Sequence, residues 1–261
     1  VSPPATWLEL QKSIPTLVKK KQGGALEQAA AAIGGSRASI AYATDLVSLI
    51  MLQYGAQMTD DARQSAMFGD ADGQQAFSFY TQFANPSSPV YTWSDAQGSS
   101  DDALASGKAA MIFDYYETAK TIRSKNPFLA LEIAPAPQIS AQEPVAYARY
   151  YGLAVSNRSA NSNWAWHAVL SLAADPANAR AYARATNRLP ALRALIGEYL
   201  KQPAFEPMAR QALVARSWYQ ADDDMIDTIL SDAIARTISG QQIAVESIRQ
   251  AAGQVTELMA R

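Results

Sequence analysis

The stretch Ser99–Phe113, closing on Asp114-Tyr115-Tyr116, constrains the fold of this chain more than any other. Asp101 and Asp102 put two carboxylates where the positive end of a short helix would stand, and Gly107 can take the left-handed conformation that closes it. Ala109, Met111 and Phe113 then alternate with their neighbours, as in a strand with one buried face. The pattern predicts a helix, a glycine exit and a strand that ends in a polar and aromatic cluster. Strand ends are where α/β folds place the side chains that meet ligands.

Composition removes several classes of partner. Hydrophobic residues make up 49% of the 261, charged residues 18%, and the formal net charge is −2, the balance of a globular protein with room for a large core. Two lobes or domains suit this length better than one. Basic residues number 22 against 24 acidic ones and form no run interleaved with aromatics, which argues against nucleic acid. The absence of cysteine excludes disulfides, thiol catalysis and zinc ribbons, and is compatible with an oxidising compartment.

Along the chain, Thr6 and Glu9 have capping-box spacing ahead of Trp7, Leu10, Ile14 and Leu17, which predicts a first amphipathic helix with Pro15 as a kink. Lys19-Lys20-Lys21 reads as its solvated end. A second helix carries Leu46, Leu49, Ile50 and Leu52 with Thr44 or Ser39 as its cap. A third begins at Asp72 and presents Ala76, Phe77, Tyr80 and Phe83 on one face. Strands are expected at Ala109–Phe113, Leu129–Ala134 and within Val145–Val155, with a short helix over 117–124 between the first two. After Asn163 the chain reads as helices over 164–174, 177–186, 206–215, 225–239 and 243–259.

Three phrases in order resemble one known family. Pro3-Pro4-Ala5-Thr6-Trp7-Leu8-Glu9 is similar to its "P-x-T-W-x-E" opening of a second lobe. Gly107-Lys108-Ala109-Ala110-Met111 is similar to its "G-K-A-A-M" segment, and Ser217-Trp218-Tyr219-Gln220 with the two final helices resembles its C-terminal end. The family is the extracellular solute-binding proteins of bacterial ABC importers, in particular the sugar-binding class related to maltose-binding protein. The resemblance implies an α/β, helix-rich, periplasmic-binding-protein-like lobe of type II without its N-terminal lobe. It places 1–134 in the second lobe, 135–187 as a crossing segment (Pro135-Ala136-Pro137) plus a strand and helices of the first lobe, and 188–261 back in the second. It further implies a small-molecule ligand of sugar type bound between lobes, a membrane permease as partner, no cofactor, and a periplasmic or extracellular location with a lipid anchor as one means of attachment upstream.

Sugars offer hydroxyl edges and apolar faces, so a receptor needs flat rings and fixed hydrogen-bonding groups. Asp114, Tyr115 and Tyr116 stand where the resemblance puts a "G-x-W" phrase that contacts ligand, with both its glycine and its tryptophan replaced; otherwise they plug the core and Asp114 caps the next helix. Tyr42, Thr44 and Asp45 resemble the family's strand-to-helix turn at the cleft, although a carboxylate in a first helical turn is also favourable on local grounds. Arg149, Tyr150 and Tyr151 resemble the hinge-side strand of the first lobe, with Arg149 otherwise a surface charge. Trp218 is a packed loop tryptophan or the edge of the site. All are candidate ligand-binding residues; none is assigned to catalysis or to a metal.

An enzyme reading finds little support. His167 is the sole histidine and lies within a helix, and neither a G-x-S-x-G nor an H-E-x-x-H phrase occurs. Asp70-Ala71-Asp72-Gly73 lacks the glycine position and closing glutamate of a calcium loop. Asn157-Arg158-Ser159 marks an exposed loop. A protein-interaction or polysaccharide-binding module without a transport role stands as the second reading.

Overall fold

A computed structural model describes residues 2–260. They pack as two compact units, one formed by the chain up to Tyr147 together with that from Arg216 onward, the other by Ala148–Ala215.

The first unit opens with α1 (Trp7–Leu17). Thr6 Oγ1 accepts from Glu9 N at 3.2 Å, while the Glu9 carboxylate accepts from Ala5 N at 2.8 Å, so the reciprocal half of the capping box falls one residue before the cap. Trp7, Leu10 and Ile14 are buried, and Pro15 lies in the last turn. The lysines expected as a solvated helix end instead contribute β1 (Lys19–Lys20), which pairs antiparallel with β2 (Leu26–Gln28).

Next come α2 (Ala43–Gln53) and α3 (Ala71–Thr81). Neither Thr44 nor Ser39 caps α2. Its N-cap is Tyr42, without a side-chain bond, because the Thr44 hydroxyl donates to Asp227 and Ser39 Oγ donates to Asp95 Oδ1 at 2.6 Å. α3 starts one residue before the expected Asp72, with Asp70 as its cap: Asp70 Oδ1 accepts from Gly73 N at 2.9 Å. The carboxylates that resembled a calcium loop thus belong to a helix start.

α4 (Ser100–Ala105) closes as expected at Gly107, whose φ is +73°. The strand expected at Ala109–Phe113 survives only as two parallel bridges, Ala29 to Ala109 and Ala32 to Ile112. Between them the ladder is interrupted. The N–H groups of Ala30 and Ala31 turn to the buried Thr92 Oγ1, at 2.8 and 3.2 Å, instead of to the neighbouring segment. After α5 (Thr118–Lys125), the expected strand Leu129–Ala134 does not form; the segment is irregular. Of Val145–Val155 only β3 (Ala146–Tyr147) is regular.

After an irregular stretch over 148–161, the second unit consists of four helices: α6 (Ser162–Ala174), α7 (Pro176–Thr186), α8 (Arg193–Tyr199) and α9 (Glu206–Leu213). α8 has no counterpart in the sequence reading. Asp175 starts α7 by accepting from Ala177 N and Asn178 N, and Asn187 ends it at φ +55°. β4 (Ala215–Arg216) follows α9.

α10 (Asp223–Ile238) and α11 (Ala244–Met259) complete the first unit, close to their expected bounds. Ile226, Leu230, Ala233 and Ile234 of α10, Ile248, Ala251 and Val255 of α11, Phe77 and Tyr80 of α3 and Ile50 of α2 share one core. That core holds the N-terminus of α2, the turn after Ile112 and the loop before α10 in one body.

Candidate functional site

The N-terminus of α2 and the turn after Ile112 meet through Tyr115. Its hydroxyl donates to Asp45 Oδ2 at 2.8 Å, and its ring stands edge-on to Tyr42, with centroids 4.7 Å apart and planes at 90°. Tyr115 is therefore tied by a hydrogen bond to Asp45, 70 positions away in sequence, and by an aromatic contact to Tyr42. Asp45 is buried, and its carboxylate is orientated by the Tyr115 phenol.

Asp114 shapes the turn that presents Tyr115. One of its oxygens accepts from Tyr115 N at 2.6 Å and from Thr118 Oγ1 at 2.5 Å. It does not cap α5, whose N-cap is Glu117. Burial pushes the Asp114 carboxyl up to about 6, against the lowering effect of the Thr118 bond, and the Asp101 carboxylate adds to the rise.

Beneath the start of α2, Thr44 donates to Asp227 of α10, and Asp227 pairs with Arg37 Nη1 at 2.5 Å. Trp218 donates from Nε1 to Ser48 Oγ at 3.3 Å and stands edge-on to Phe68 at 5.9 Å. It is half-buried against the main core, so packing accounts for much of its position. Tyr116 lies in the same turn as Tyr115 and is also half-buried. Arg149, Tyr150 and Tyr151 belong to the second unit. Tyr150 and Tyr151 are largely exposed there, and the Arg188 guanidinium lies 5.9 Å from the Tyr151 ring centroid.

Sequence reasoning missed Ser48, Thr118, Asp227 and Arg37, which tie these elements together, and read Asp101 only as a helix-start carboxylate. For Thr118 a signal existed in the four-residue spacing from Asp114. For Asp227 there was none, since it meets Thr44 across 183 residues. Among the described residues no group of three His, Cys, Asp or Glu side chains could hold a metal ion, and no helix is long and apolar enough to cross a membrane.

The cluster sets aromatic rings beside carboxylate acceptors, groups able to stack on and hydrogen-bond to a polar molecule.

A family model described as bacterial extracellular solute-binding protein matches residues 2–207. Among solved structures, a cyclo/maltodextrin-binding protein complexed with maltotetraose superposes with a TM-score of 0.72 at 15% identity, covering 99% of this chain and 64% of that one. UgpB from Mycobacterium tuberculosis in complex with glycerophosphocholine gives 0.73 at 14% identity, covering 98% and 64%. An ABC transporter solute-binding protein from Thermotoga lettingae bound with alpha-D-tagatose gives 0.67 at 17%, covering 99% and 65%. At these identities the likeness is one of fold, and it is the helix-rich periplasmic-binding-protein type expected from the sequence. The chain spans slightly less than two thirds of the length of these three proteins. A search of curated protein sequences returns no match.

Proposed function

The chain belongs to the bacterial extracellular solute-binding proteins, and from that premise we propose that it acts as the solute-binding component of an ABC importer, taking a sugar or related small polar solute between two lobes. The observation that carries this reading is the Tyr42–Tyr115–Asp45 cluster, in which two rings and an orientated carboxylate share one place. Rings supply stacking surface to the apolar face of a sugar, and carboxylates accept its hydroxyls. Asp114, Tyr116, Thr44 and Trp218 complete this side of the site, with Trp218 at its edge.

In this reading 1–134 and 188–261, with its C-terminal helices, belong to the second lobe and 135–187 to the crossing and the first lobe, a division that differs from the two compact units, where 188–215 pack with 148–187. The exposed Tyr150, Tyr151, Trp164 and Leu172 support it, because such side chains gain from a covering surface that further first-lobe sheet would provide. The partner of the closed protein is a membrane permease. The place of action is the periplasm or the cell exterior, with lipid anchoring one means of attachment. The solute leaves chemically unchanged, since the site residues form no nucleophile and base pair.

The test is a titration of the 261-residue chain with maltotriose and with tagatose, at up to millimolar concentration, followed by NMR. One lobe buries only part of a ligand, so weak binding is expected, with shifts centred on Tyr42, Tyr115, Tyr116 and Trp218. Tyr115→Ala should weaken binding by about 1–3 kcal/mol if its ring is stacked on the sugar. Shifts confined to other surfaces would remove the site. Sugar turnover abolished by changing Asp45 or Asp114 would remove the receptor reading.

A further inference from the structure

The Asp101 carboxyl has a buried oxygen with nothing to bond. Asp101 Oδ1 is buried and has no hydrogen-bond partner among the described residues, although it lies in the first turn of a helix, where a carboxylate ordinarily finds donors or water. The group within hydrogen-bonding reach of the Asp101 side chain is the Asp114 carboxyl. Asp114 already uses Oδ1 to accept from Tyr115 N and Thr118 Oγ1, which leaves its second oxygen for Asp101. Two bare acceptors cannot satisfy each other. One proton between them can.

We propose that Asp101 and Asp114 form a proton-sharing carboxyl pair that positions Tyr115 in the solute site, with Asp101 as a positioning residue that does not itself touch the solute. The proposal rests on the solute-binding reading above for the meaning of the site, but not for the existence of the pair. With the proton in place, Asp114 donates to Asp101 Oδ1 while its other oxygen keeps the Tyr115 N–H and the Thr118 hydroxyl. The turn is then fixed at both ends, and the Tyr115 phenol is held over Asp45. Without the proton, two carboxylates repel at close range and the turn loosens.

The surrounding charges do not cancel this repulsion. Lys125 of α5 is committed to Asp102, at 2.6 Å, and acts on Asp101 only at longer range. Across the turn stands Asp45, a further carboxyl bonded through Tyr115, and Glu117 is the next acidic residue on the path to α5. The sign follows. Asp114 binds its proton more tightly in the folded chain than in the unfolded one, its carboxyl being pushed up to about 6. The pair's contribution is therefore complete below the ordinary carboxylate range and is lost as pH rises through about 6.

The experiment is a pH titration of the ligand-free chain labelled with carbon-13 at aspartate carboxyls and tyrosine rings, repeated on Asp101→Asn and Asp114→Asn. In the unsubstituted chain, an aspartate carboxyl that disappears in Asp114→Asn should titrate near 6, and the Tyr115 ring should shift with the same midpoint. In Asp101→Asn the amide keeps a hydrogen bond to Asp114 without a second charge. The Asp114 midpoint should then fall by about one pH unit, and Tyr115 should stop responding between pH 5 and 7. A Tyr115 ring indifferent to pH in the unsubstituted chain, or an Asp114 midpoint unmoved in Asp101→Asn, overturns the proposal. The unsubstituted titration decides alone should a variant fail to fold. Because no solute is present, failure here leaves solute binding standing, and failure to bind maltotriose leaves the pair standing.

Discussion

α2 and α6 are of similar length and similarly apolar composition, yet they meet opposite fates. In α2 all nine residues from Ala43 to Met51 are buried, including Thr44, Asp45 and Ser48. In α6 no residue is buried: Trp164 is 77% exposed, and Trp166, Leu170 and Leu172 are about half exposed or more. The first unit surrounds α2 with α3, α10 and an extensive core. The second unit has its own small cluster, Ala183, Ile196, Tyr199 and Ala209, which excludes α6. Apolar sequence thus sets what a helix gains from being covered, while the cover itself is a property of the rest of the chain.

The sharpest way to break this contrast is to truncate equivalent apolar side chains in the two units. Phe77→Ala removes a fully buried ring from the first core and should cost about 3–5 kcal/mol. Leu172→Ala, on the open surface of α6, should stay within about 0.5 kcal/mol. Urea unfolding followed by fluorescence separates the units, since Trp7, Trp93 and Trp218 report on the first and Trp164 and Trp166 on the second. A comparable loss in both would mean that α6 is covered in solution and that the contrast is false.

Ion pairs sharpen the same comparison on a smaller scale. Asp227 holds Arg37 and the Thr44 hydroxyl while its own side chain is only 18% exposed. Asp227→Asn should therefore cost about 1–2 kcal/mol, with little rescue or loss on adding salt. Arg180 and Glu198 in the second unit make a bidentate pair, Nη2 to Oε1 at 2.6 Å and Nε to Oε2 at 3.0 Å, but they do so in solvent. Glu198→Gln should leave the thermal midpoint of the chain unchanged within error at physiological salt. A clear drop for Glu198→Gln would show that surface geometry, not burial, decides the worth of these pairs.

The division between legible and illegible features follows the same line. Asp175-Pro176 and Gly107 act on neighbours within a few residues, so the start of α7 and the end of α4 could be placed from sequence. The strands could not. Their pattern was present at Ala109–Phe113, but a strand exists only with a partner, and the N–H groups of Ala30 and Ala31 prefer the Thr92 hydroxyl. In the candidate site, the strand-end argument brought Tyr42, Asp45 and Tyr115 to one place, and the structure joins them. It could not foresee Asp227 beneath Thr44 or Ser48 beside Trp218, because such pairs are fixed by how helices pack, not by local spacing. Asp101 was visible only as a helix-start carboxylate, and its partner across the turn emerged from the fold.

Helix caps provide the smallest expected effect and the finest test of how the two units differ. Asp70 accepts from Gly73 N at 2.9 Å to start α3, and Asp175 accepts from Ala177 N and Asn178 N, both at 2.9 Å, to start α7. The local chemistry is the same, so Asp70→Ala and Asp175→Ala should each remove about 1 kcal/mol from their own helix. What differs is how far the loss spreads. α3 packs against α2 and α11, and its Ala76, Phe77 and Tyr80 lie in the main core, so it cannot open alone. Asp70→Ala should accelerate amide exchange across α2, α3 and α11 together, by the factor of about five that 1 kcal/mol represents. α7 buries only Ala179 and Ala183, so Asp175→Ala should accelerate exchange within α7 and leave α8, α9 and the whole first unit unchanged. If Asp175→Ala instead speeds exchange throughout the second unit, its four helices open as one cooperative body despite their thin core, and burial would no longer explain the contrast between α2 and α6.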